Sequence, residues 1–185
     1  MAKKVADQLV DTLEKAGVRR IYAVTGDSLN EVNEAVRKNG RLRWIHVRHE
    51  ETGAYAAAAE AQLTGELACC AGSSGPGHVH LINGLYDAQR SGARVLAIAS
   101  TIPSREFGTE YFQETNTIKL FDDCSYYNQV ATTPEQFPRM LQGAMQAAIS
   151  SCGVGVIGLP GDLAAENATA GLSSTFSFPT RSEER

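Results

Sequence analysis

Hydrophobic residues near the start of the chain recur with the spacing of one helix face. They occupy positions 5, 6, 9, 10, 13 and 16, and Gly17 follows them. This spacing predicts an amphipathic helix that buries one face. Glycine readily adopts the left-handed conformation that ends a helix. The apolar segment 20–24 then predicts a first strand.

The same order of helix, glycine and strand repeats along the chain. Predicted helices cover residues 5–16, 28–39, 50–64, 78–91, 117–122 and 133–151, and predicted strands cover 20–24, 43–47, 67–71, 94–100, 126–131 and 154–159. Strands that are almost continuously apolar are buried on both faces of a sheet. Helices that alternate with such strands favour right-handed parallel crossovers. We therefore predict an α/β fold, a three-layer α/β/α domain with a six-stranded, mostly parallel sheet.

Two of the predicted helices begin with specific signals. Ser28-Leu29-Asn30-Glu31 and Thr133-Pro134-Glu135-Gln136 have the spacing of capping boxes, which satisfy free N–H groups at a helix start. Pro138 falls in the second turn of the helix predicted from residue 133, where we expect it to remove a hydrogen bond and bend the helix. Residues 101–116 are too polar and irregular for a core element and predict a loop.

The periodic pattern ends after residue 163. Residues 164–185 are rich in Ala, Ser and Thr and finish in a charged segment that follows a proline, which is typical of a linker. We expect one domain over residues 1–163, and a linker over 164–185 that leads towards a further domain missing from this sequence.

Composition excludes several classes of protein. A hydrophobic fraction of 43% and a charged fraction of 21% are typical of a soluble globular chain. The net charge of −4 provides no basic surface for nucleic acid. No apolar run approaches the roughly 18 residues of a membrane span, and the amino terminus lacks a secretory signal. The four cysteines, which form no Cys-x-x-Cys pair, are expected to be reduced and buried, so we predict a cytoplasmic protein.

Two adjacent carboxylates, Glu50 and Glu51, follow the predicted strand 43–47 and begin the predicted helix 50–64. Ligands of open parallel sheets collect outside the carboxyl ends of the strands. Acidic residues are also common in first helical turns, because free N–H groups point towards them there. Both interpretations, a functional carboxylate and a local helix-start preference, stay open at this level.

The turn Gly72-Ser73-Ser74-Gly75-Pro76-Gly77 also joins a predicted strand to a predicted helix. Its glycines permit a close approach to the backbone. The residues after Gly77 are not the Lys and Ser/Thr of a nucleotide-binding P-loop. The turn is compatible with a phosphate at the helix amino end, with a cofactor ring lying against the backbone, or with a tight turn of no further function.

Other candidate residues give weaker signals. His49, His78 and His80 show no metal-ligand spacing, because positions 78 and 80 fall on different sides of a helix and no carboxylate is spaced to join them. We therefore expect no metal ligands. Thr25-Gly26-Asp27 is another strand-to-helix turn, and Phe112-Gln113-Glu114 lies in the long loop. Long loops are often functional, although a solvated loop explains this one equally well.

Five segments, taken together and in order, are more specific than any one of them. They are Val24-Thr25-Gly26-Asp27-Ser28, Arg48-His49-Glu50-Glu51, Gly72 to Gly77, His80 to Asp87 and Tyr111-Phe112-Gln113-Glu114. This set closely resembles the amino-terminal pyrimidine-binding domain of thiamine-diphosphate enzymes, over about residues 3–163. Within that superfamily the resemblance is greatest to the pyruvate oxidases, or pyruvate:quinone oxidoreductases. The acetolactate synthases and 2-oxo-acid decarboxylases share the Gly-Pro-Gly turn and the early glutamate, and they remain alternatives.

The resemblance implies a role for each matching residue. Glu50 matches the glutamate that hydrogen-bonds N1′ of the aminopyrimidine and favours the imino form, whose nitrogen takes the proton from C2 of the thiazolium. Gly26 and Asp27 match a turn that faces the reacting end of the cofactor. Phe112 and Gln113 match a substrate-side pair that shapes the pocket for a 2-oxo acid. The positions that match those lining the pyrimidine are Ser74, Gly75, Pro76 and His80.

The resemblance also implies the properties of a parent enzyme. Such an enzyme uses thiamine diphosphate, Mg²⁺ and FAD to convert pyruvate to acetate and CO₂ and passes the electrons to a quinone. It would be a homodimer or homotetramer, with peripheral membrane contact only through regions outside this chain. It would carry a central flavin-binding domain, which is the expected destination of the linker.

The chain departs from the family in two places. It lacks the Gly-Asp-Gly…Asn-Asn motif that holds the diphosphate through magnesium, and Ser91-Gly92-Ala93-Arg94 replaces an expected His-x-Pro-like segment. We therefore expect the chain alone to be inactive and to bind no cofactor tightly. The alternative from another class is a non-catalytic module that binds a second copy of itself or a separate partner chain.

Overall fold

The computed structural model describes residues 2–169. Its strands are β1 (Arg20–Ala23), β2 (Arg43–His46), β3 (Ala68–Gly72), β4 (Val95–Thr101), β5 (Tyr127–Val130) and β6 (Val154–Pro160). Its α-helices are α1 (Val5–Lys15), α2 (Asn30–Asn39), α3 (Glu50–Thr64), α4 (Pro76–Val79), α5 (Ile82–Ser91), α6 (Thr117–Phe121), α7 (Phe137–Ser151) and α8 (Gly161–Ala165). Two 3₁₀ turns cover Asp27–Leu29 and Ser104–Glu106.

The six strands form one sheet in the order β2-β1-β3-β4-β6-β5, and every neighbouring pair is parallel. The predicted α/β class and the six strands are confirmed, and the sheet is entirely rather than mostly parallel. The chain runs outward from β1 to β2 and then crosses to the other side of β1 to form β3. A crevice therefore opens outside the carboxyl ends of β1 and β3, where ligands of open α/β sheets bind.

Helices cover both faces of the sheet. Successive side chains of a strand point to opposite faces, so a continuously apolar strand has apolar side chains to bury on each face. Cys69 belongs to the hydrophobic cluster beneath α1, α2 and α7, and Cys70 belongs to the cluster beneath α3 and α5. Both residues are completely buried. The two clusters make the three-layer arrangement, and they explain why the central strands carry almost no polar side chains.

Small residues let α3 lie close to its neighbours. A Cβ atom added to Gly84 of α5 would lie 2.5 Å from Cβ of Ala54, and one added to Gly53 would lie 3.2 Å from the carbonyl oxygen of Tyr22 in β1. The alanines and glycines of α3 therefore set the distance between this helix, β1 and α5. That close packing holds the first residue of α3 at the edge of the crevice.

Several local predictions were wrong. The segment predicted as one helix over residues 78–91 is divided into α4 and α5, with His80 and Leu81 in a turn between them. The last long helix begins at Phe137 rather than at Thr133, so Pro138 lies in its first turn. The first N–H groups of a helix have no acceptor within that helix. The proline therefore removes no helical hydrogen bond, and the reason for the predicted bend disappears.

The capping box predicted at Ser28 is absent, because α2 starts at Asn30 and no side chain caps it. Cys152 is exposed rather than buried, since it ends α7 in a left-handed conformation with φ of 50°. The other three cysteines are buried as predicted.

The segment after β6 continues the fold for a few residues. The helix α8 extends to Ala165, and Asn167 forms an isolated antiparallel bridge with Lys4. The predicted linker 164–185 therefore starts within described structure, and its residues 170–185 lie outside the described part of the chain. Among residues 2–169, no helix is long and apolar enough to cross a membrane.

Candidate functional site

The turns after β1 and β3 contact each other across the crevice. The hydroxyl of Ser28 accepts a hydrogen bond from the backbone N–H of Ser74 at 2.9 Å and lies 3.1 Å from the hydroxyl of Ser73. A Cβ atom on Gly26 would lie 2.3 Å from Ser73 Oγ, so only glycine fits at position 26. Ser28 therefore joins two segments of the site, and no local sequence signal indicates this contact.

The glycine-rich turn between β3 and α4 is held in one conformation by its own backbone. Gly75 has φ of 64° and ψ of −121°, which side-chain-bearing residues rarely adopt, and Pro76 occupies the start of α4. A Cβ atom on Gly72 would lie 2.5 Å from Cα of His78. The turn is therefore closely packed on itself and leaves little room for a side chain.

Glu50 is the first residue of α3, and its exposed fraction is 8%. Its Oε2 lies 3.1 Å from Nδ1 of His80, and its Oε1 would lie 3.4 Å from a Cβ atom on Gly77. Because Gly77 has no side chain, only backbone lies against this edge of the carboxylate. Glu51 points elsewhere, since its Oε1 accepts a hydrogen bond from Asn83 Nδ2 at 3.2 Å.

Two of the histidines meet beside this carboxylate. His49 caps α3 by accepting a hydrogen bond from the N–H of Glu51 at 3.3 Å, and its ring stacks on that of His80 with centroids 4.4 Å apart. One ligand-type atom each from His49, Glu50 and His80 lies within 4.8 Å of the others. Sequence spacing missed this cluster, because it depends on how α3 and the turn between α4 and α5 pack.

His78 points away from that cluster and is completely buried. Its Nδ1 lies 2.7 Å from the carbonyl oxygen of Ser100 in β4, and its Nε2 lies 2.6 Å from Oγ1 of Thr115. Because a carbonyl oxygen only accepts, Nδ1 carries the proton and Nε2 accepts from the threonine hydroxyl. Burial lowers the pKa of His78, and the backbone hydrogen bond to Ser100 partly opposes that effect. Sequence analysis assigned this residue no role.

The loop 102–116 folds back over the glycine-rich turn. Gln113 has φ of 76°, its Oε1 accepts a hydrogen bond from the hydroxyl of Ser74 at 2.9 Å, and its Cβ would lie 2.8 Å from a Cβ atom on Gly75. Phe112 stays 73% exposed, with its ring 5.7 Å from that of Tyr111. Gln113 is thus placed beside two residues that sequence analysis assigned to the pyrimidine.

A cleft of about 290 Å³ lies between the turns and this loop, lined by Asp27, Ser28, Ser74, Tyr111, Phe112 and Gln113 among others. Asp162 of α8 forms part of its wall and anchors the loop by accepting hydrogen bonds from the N–H and the hydroxyl of Ser104. A larger cleft of about 530 Å³ lies on the other side of the loop, between Thr101, Phe107 and Val130. Of the predicted residues, Asp27, Ser74 and Phe112 line the smaller cleft, and Gln113 lines both.

The predicted residues are therefore divided between two parts of one edge. Glu50, His80 and the turn from Gly75 to Gly77 form one part, and Asp27, Ser74, Phe112 and Gln113 form the other. Ser74 connects them, because its backbone precedes the turn and its hydroxyl binds Gln113. A buried carboxylate beside an imidazole and bare backbone suits proton exchange with a flat heterocyclic ring.

Such a site, at the crevice of a parallel sheet, defines a cofactor-binding α/β domain. Residues 3–120 match the family model described as thiamine pyrophosphate enzyme, N-terminal TPP binding domain. The chain belongs to this family.

Several relatives support this assignment. The chain is 55% identical over 96% of its length to an uncharacterized 42.6 kDa protein of Pseudomonas amyloderamosa, covering 45% of that protein. It is 45% identical over 90% of its length to the putative thiamine pyrophosphate-containing protein YdaP of Bacillus subtilis, covering 29% of it. It is 38% identical over 84% of its length to the pyruvate oxidase of Lactiplantibacillus plantarum, covering 26% of it. Plant acetolactate synthases also match, at 33% identity for the one from Brassica napus. The chain spans less than half the length of each of these relatives.

Proposed function

We propose that this chain is the pyrimidine-binding domain of an enzyme that oxidatively decarboxylates pyruvate to acetate and CO₂. The enzyme would pass electrons through FAD to a quinone and would work as a cytoplasmic homo-oligomer. The family membership supports the cofactor. The greater similarity to a pyruvate oxidase than to acetolactate synthases supports the oxidase reaction.

The observation that carries the proposal is the setting of Glu50. Its carboxylate is buried at the start of α3, contacts the His80 imidazole, and lies beside Gly77, where an added Cβ atom would be 3.4 Å from Oε1. This bare backbone fits the flat aminopyrimidine of thiamine diphosphate, which Glu50, His80 and the Gly75–Gly77 turn would hold. When bound, this cofactor supplies the carbon nucleophile that attacks a 2-oxo acid.

The protein's own residues then have separate tasks. Glu50 shares a proton with a ring nitrogen of the aminopyrimidine, and His80 orients the carboxylate through the contact at 3.1 Å. Ser74 fixes Gln113 at the entrance of the smaller cleft through its hydroxyl. Phe112 and Asp27 line the same cleft, so they would contact the substrate side. FAD and Mg²⁺ belong to the proposed whole enzyme, and none of the residues named above is assigned to either.

The test compares two neighbouring carboxylates in the enzyme that carries this domain. We expect Glu50→Gln to lower kcat by about 10²- to 10⁴-fold, the usual contribution of a positioned acid or base. We expect Glu51→Gln to retain activity, because Glu51 is bonded to Asn83 and not directed at the turn. The assay measures pyruvate-dependent reduction of an artificial electron acceptor, and urea unfolding confirms that both variants fold. Full activity of Glu50→Gln would refute the assigned role.

Product analysis separates the related reactions. Acetate together with a reduced acceptor supports the oxidase, whereas acetolactate formed from two pyruvate molecules indicates a synthase. Acetaldehyde without acceptor reduction indicates a simple decarboxylase. None of these product patterns bears on the role of Glu50. The product analysis therefore tests the proposed reaction, and the Glu50→Gln variant tests the proposed site.

A non-catalytic, self-associating module is a second candidate for the function of the chain on its own. The observation that favours it is an exposed apolar surface on α3, where Leu63 is 88% exposed and Tyr55 is 43% exposed. Exposed apolar patches often mark protein interfaces. Sedimentation of the 185-residue chain tests this candidate, and a strictly monomeric chain at high concentration would argue against it.

A further inference from the structure

The cluster of His49, Glu50 and His80 has the composition of a transition-metal site. Two imidazoles and one carboxylate are ligands that zinc accepts, and the His₂Glu set occurs in zinc enzymes that keep one position for water. One ligand-type atom from each residue lies within 4.8 Å of the others. Among residues 2–169, this is the group of at least three His, Cys, Asp or Glu side chains that meets this distance.

Two of the three ligands are already at a suitable separation. His80 Nδ1 and Glu50 Oε2 are 3.1 Å apart. Ligand atoms about 2.0–2.1 Å from a tetrahedral zinc ion lie roughly 3.4 Å from one another. An ion can therefore replace the proton between these two atoms with only a small change in their positions.

The third ligand has the freedom to complete the set. The His49 side chain is 47% exposed, and that of His80 is 44% exposed, whereas the Glu50 side chain is 11% exposed. The carboxylate thus provides a fixed, buried anion, while the two rings are accessible from solvent. Because the three ligand atoms lie within 4.8 Å of one another, a movement of at most about 1.4 Å brings the His49 nitrogen to the roughly 3.4 Å ligand spacing of a tetrahedral ion.

The surroundings also favour a cation. Glu51 Oε2 lies 3.7 Å from His49 Nδ1, which adds a second carboxylate next to the cluster. Gly77 places no side chain against the Glu50 carboxylate. In contrast, His78 is directed to Ser100 and Thr115 and takes no part.

We propose that His49, Glu50 and His80 form a binding site for one divalent transition-metal ion such as Zn²⁺. The sequence prediction of no metal ligands rested on spacing alone and did not include these three residues as a set. The site itself does not depend on the proposed function. If the proposed function also holds, metal and aminopyrimidine compete for the Glu50 carboxylate, and Zn²⁺ inhibits the enzyme reversibly.

The experiment is a calorimetric titration of the 185-residue chain with ZnCl₂. The wild-type chain is compared with variants in which a single histidine is replaced by asparagine. Asparagine is a good helix cap and a weak zinc ligand, so His49→Asn preserves the start of α3 while removing a metal ligand. We expect the wild-type chain to bind one ion, and His49→Asn and His80→Asn each to weaken binding by at least about tenfold. His46→Asn is the matched control, because His46 is exposed but lies outside the cluster.

A second readout guards against unspecific binding. Co²⁺ should give the visible absorption of a four-coordinate ion in the wild-type chain and in His46→Asn, and lose it in His49→Asn and His80→Asn. Absence of Zn²⁺ binding, or equal affinities for the wild-type chain and both ligand variants, would overturn the proposal. Equal loss in His46→Asn would also overturn it. Circular dichroism shows whether each variant is folded, and Glu50→Gln provides a third ligand variant if one histidine variant is not.

Discussion

Replacement of His78 should show how much the buried imidazole contributes to the stability of the fold. In His78→Ala, the carbonyl of Ser100 loses its imidazole donor, whereas the hydroxyl of half-buried Thr115 can turn to water. A buried acceptor left without a partner costs about 1–3 kcal/mol, and a lost ordinary hydrogen bond costs about 0.5–1.5 kcal/mol. The empty space beside the ring of Phe121, 5.9 Å away, adds a cavity contribution.

We therefore expect His78→Ala to lower the free energy of unfolding by roughly 2–5 kcal/mol. His78→Asn should recover part of this loss, because its amide can still donate to the Ser100 carbonyl. Urea unfolding followed by circular dichroism measures both variants at neutral pH. The control is His46→Ala, which removes an exposed histidine and should stay within about 0.5 kcal/mol of the wild-type chain.

The same histidine predicts a dependence of stability on pH. Burial lowers the pKa of His78 from its ordinary value of 6.5, so the folded chain keeps this group neutral at a pH where the unfolded chain protonates it. The unfolded state then binds more protons, and stability falls as the pH decreases below 6.5 towards the lowered pKa. The largest slope for one group is about 1.4 kcal/mol per pH unit.

The difference between the wild-type chain and His78→Asn isolates this contribution. The variant should start less stable at neutral pH, and the stability gap should narrow as the pH falls below 6.5. A gap that stays constant with pH, or a His78→Ala variant as stable as the His46→Ala control, would refute the assigned role of the imidazole. Carboxylates affect both proteins alike and cancel in the comparison.

Three further predictions concern packing and the loop. Gly84→Ala should destabilise the chain by about 1–3 kcal/mol in urea unfolding, because the new methyl group would lie 2.5 Å from Cβ of Ala54 and force α3 and α5 apart. At Gly65, where φ is 73°, an added methyl group would meet open space, so Gly65→Ala should lower the free energy of unfolding by only about 1–2 kcal/mol through backbone strain. A larger loss of stability in Gly65→Ala than in Gly84→Ala would contradict this view of the packing. Asp162→Ala should speed proteolytic cleavage near Ser104, because the N–H and hydroxyl of that residue lose their acceptor; unchanged cleavage would show that the loop is held by other contacts.

Much of the fold was predictable because the signal for it is local. The apolar runs that became β4 and β6 are buried along their whole length. A strand that is covered on both faces can be predicted from its own residues, without knowing which strands lie beside it. Gly40 and Gly65 end α2 and α3 in left-handed conformations, as helix-stop glycines commonly do. The position of Glu50 and Glu51 between a strand and a helix was also a local observation, whereas the choice of Glu50 over Glu51 came from the family resemblance.

The errors arose where distant residues decide the outcome. The hydroxyl of Ser28 accepts from the N–H of Ser74 instead of capping the next helix, and only the packing of β1 against β3 makes that partner available. One error is local: the hydroxyl of Thr133 accepts a hydrogen bond from the N–H of Gln136 at 3.4 Å, as a capping residue would, but α7 starts only at Phe137. His49 and His80 meet through tertiary packing, so their spacing in the sequence contained no sign of it.

The strand order has a consequence for how the protein is made. The strand β5 pairs with β6, and β6 lies between β4 and β5 although it is the last strand within residues 2–169. During synthesis β5 therefore has no strand to pair with until residues 154–160 leave the ribosome. A nascent chain that is halted before that point exposes an unpaired strand edge at β4. Insertion of β6 between β4 and β5 covers this edge and so protects the growing domain from aggregation.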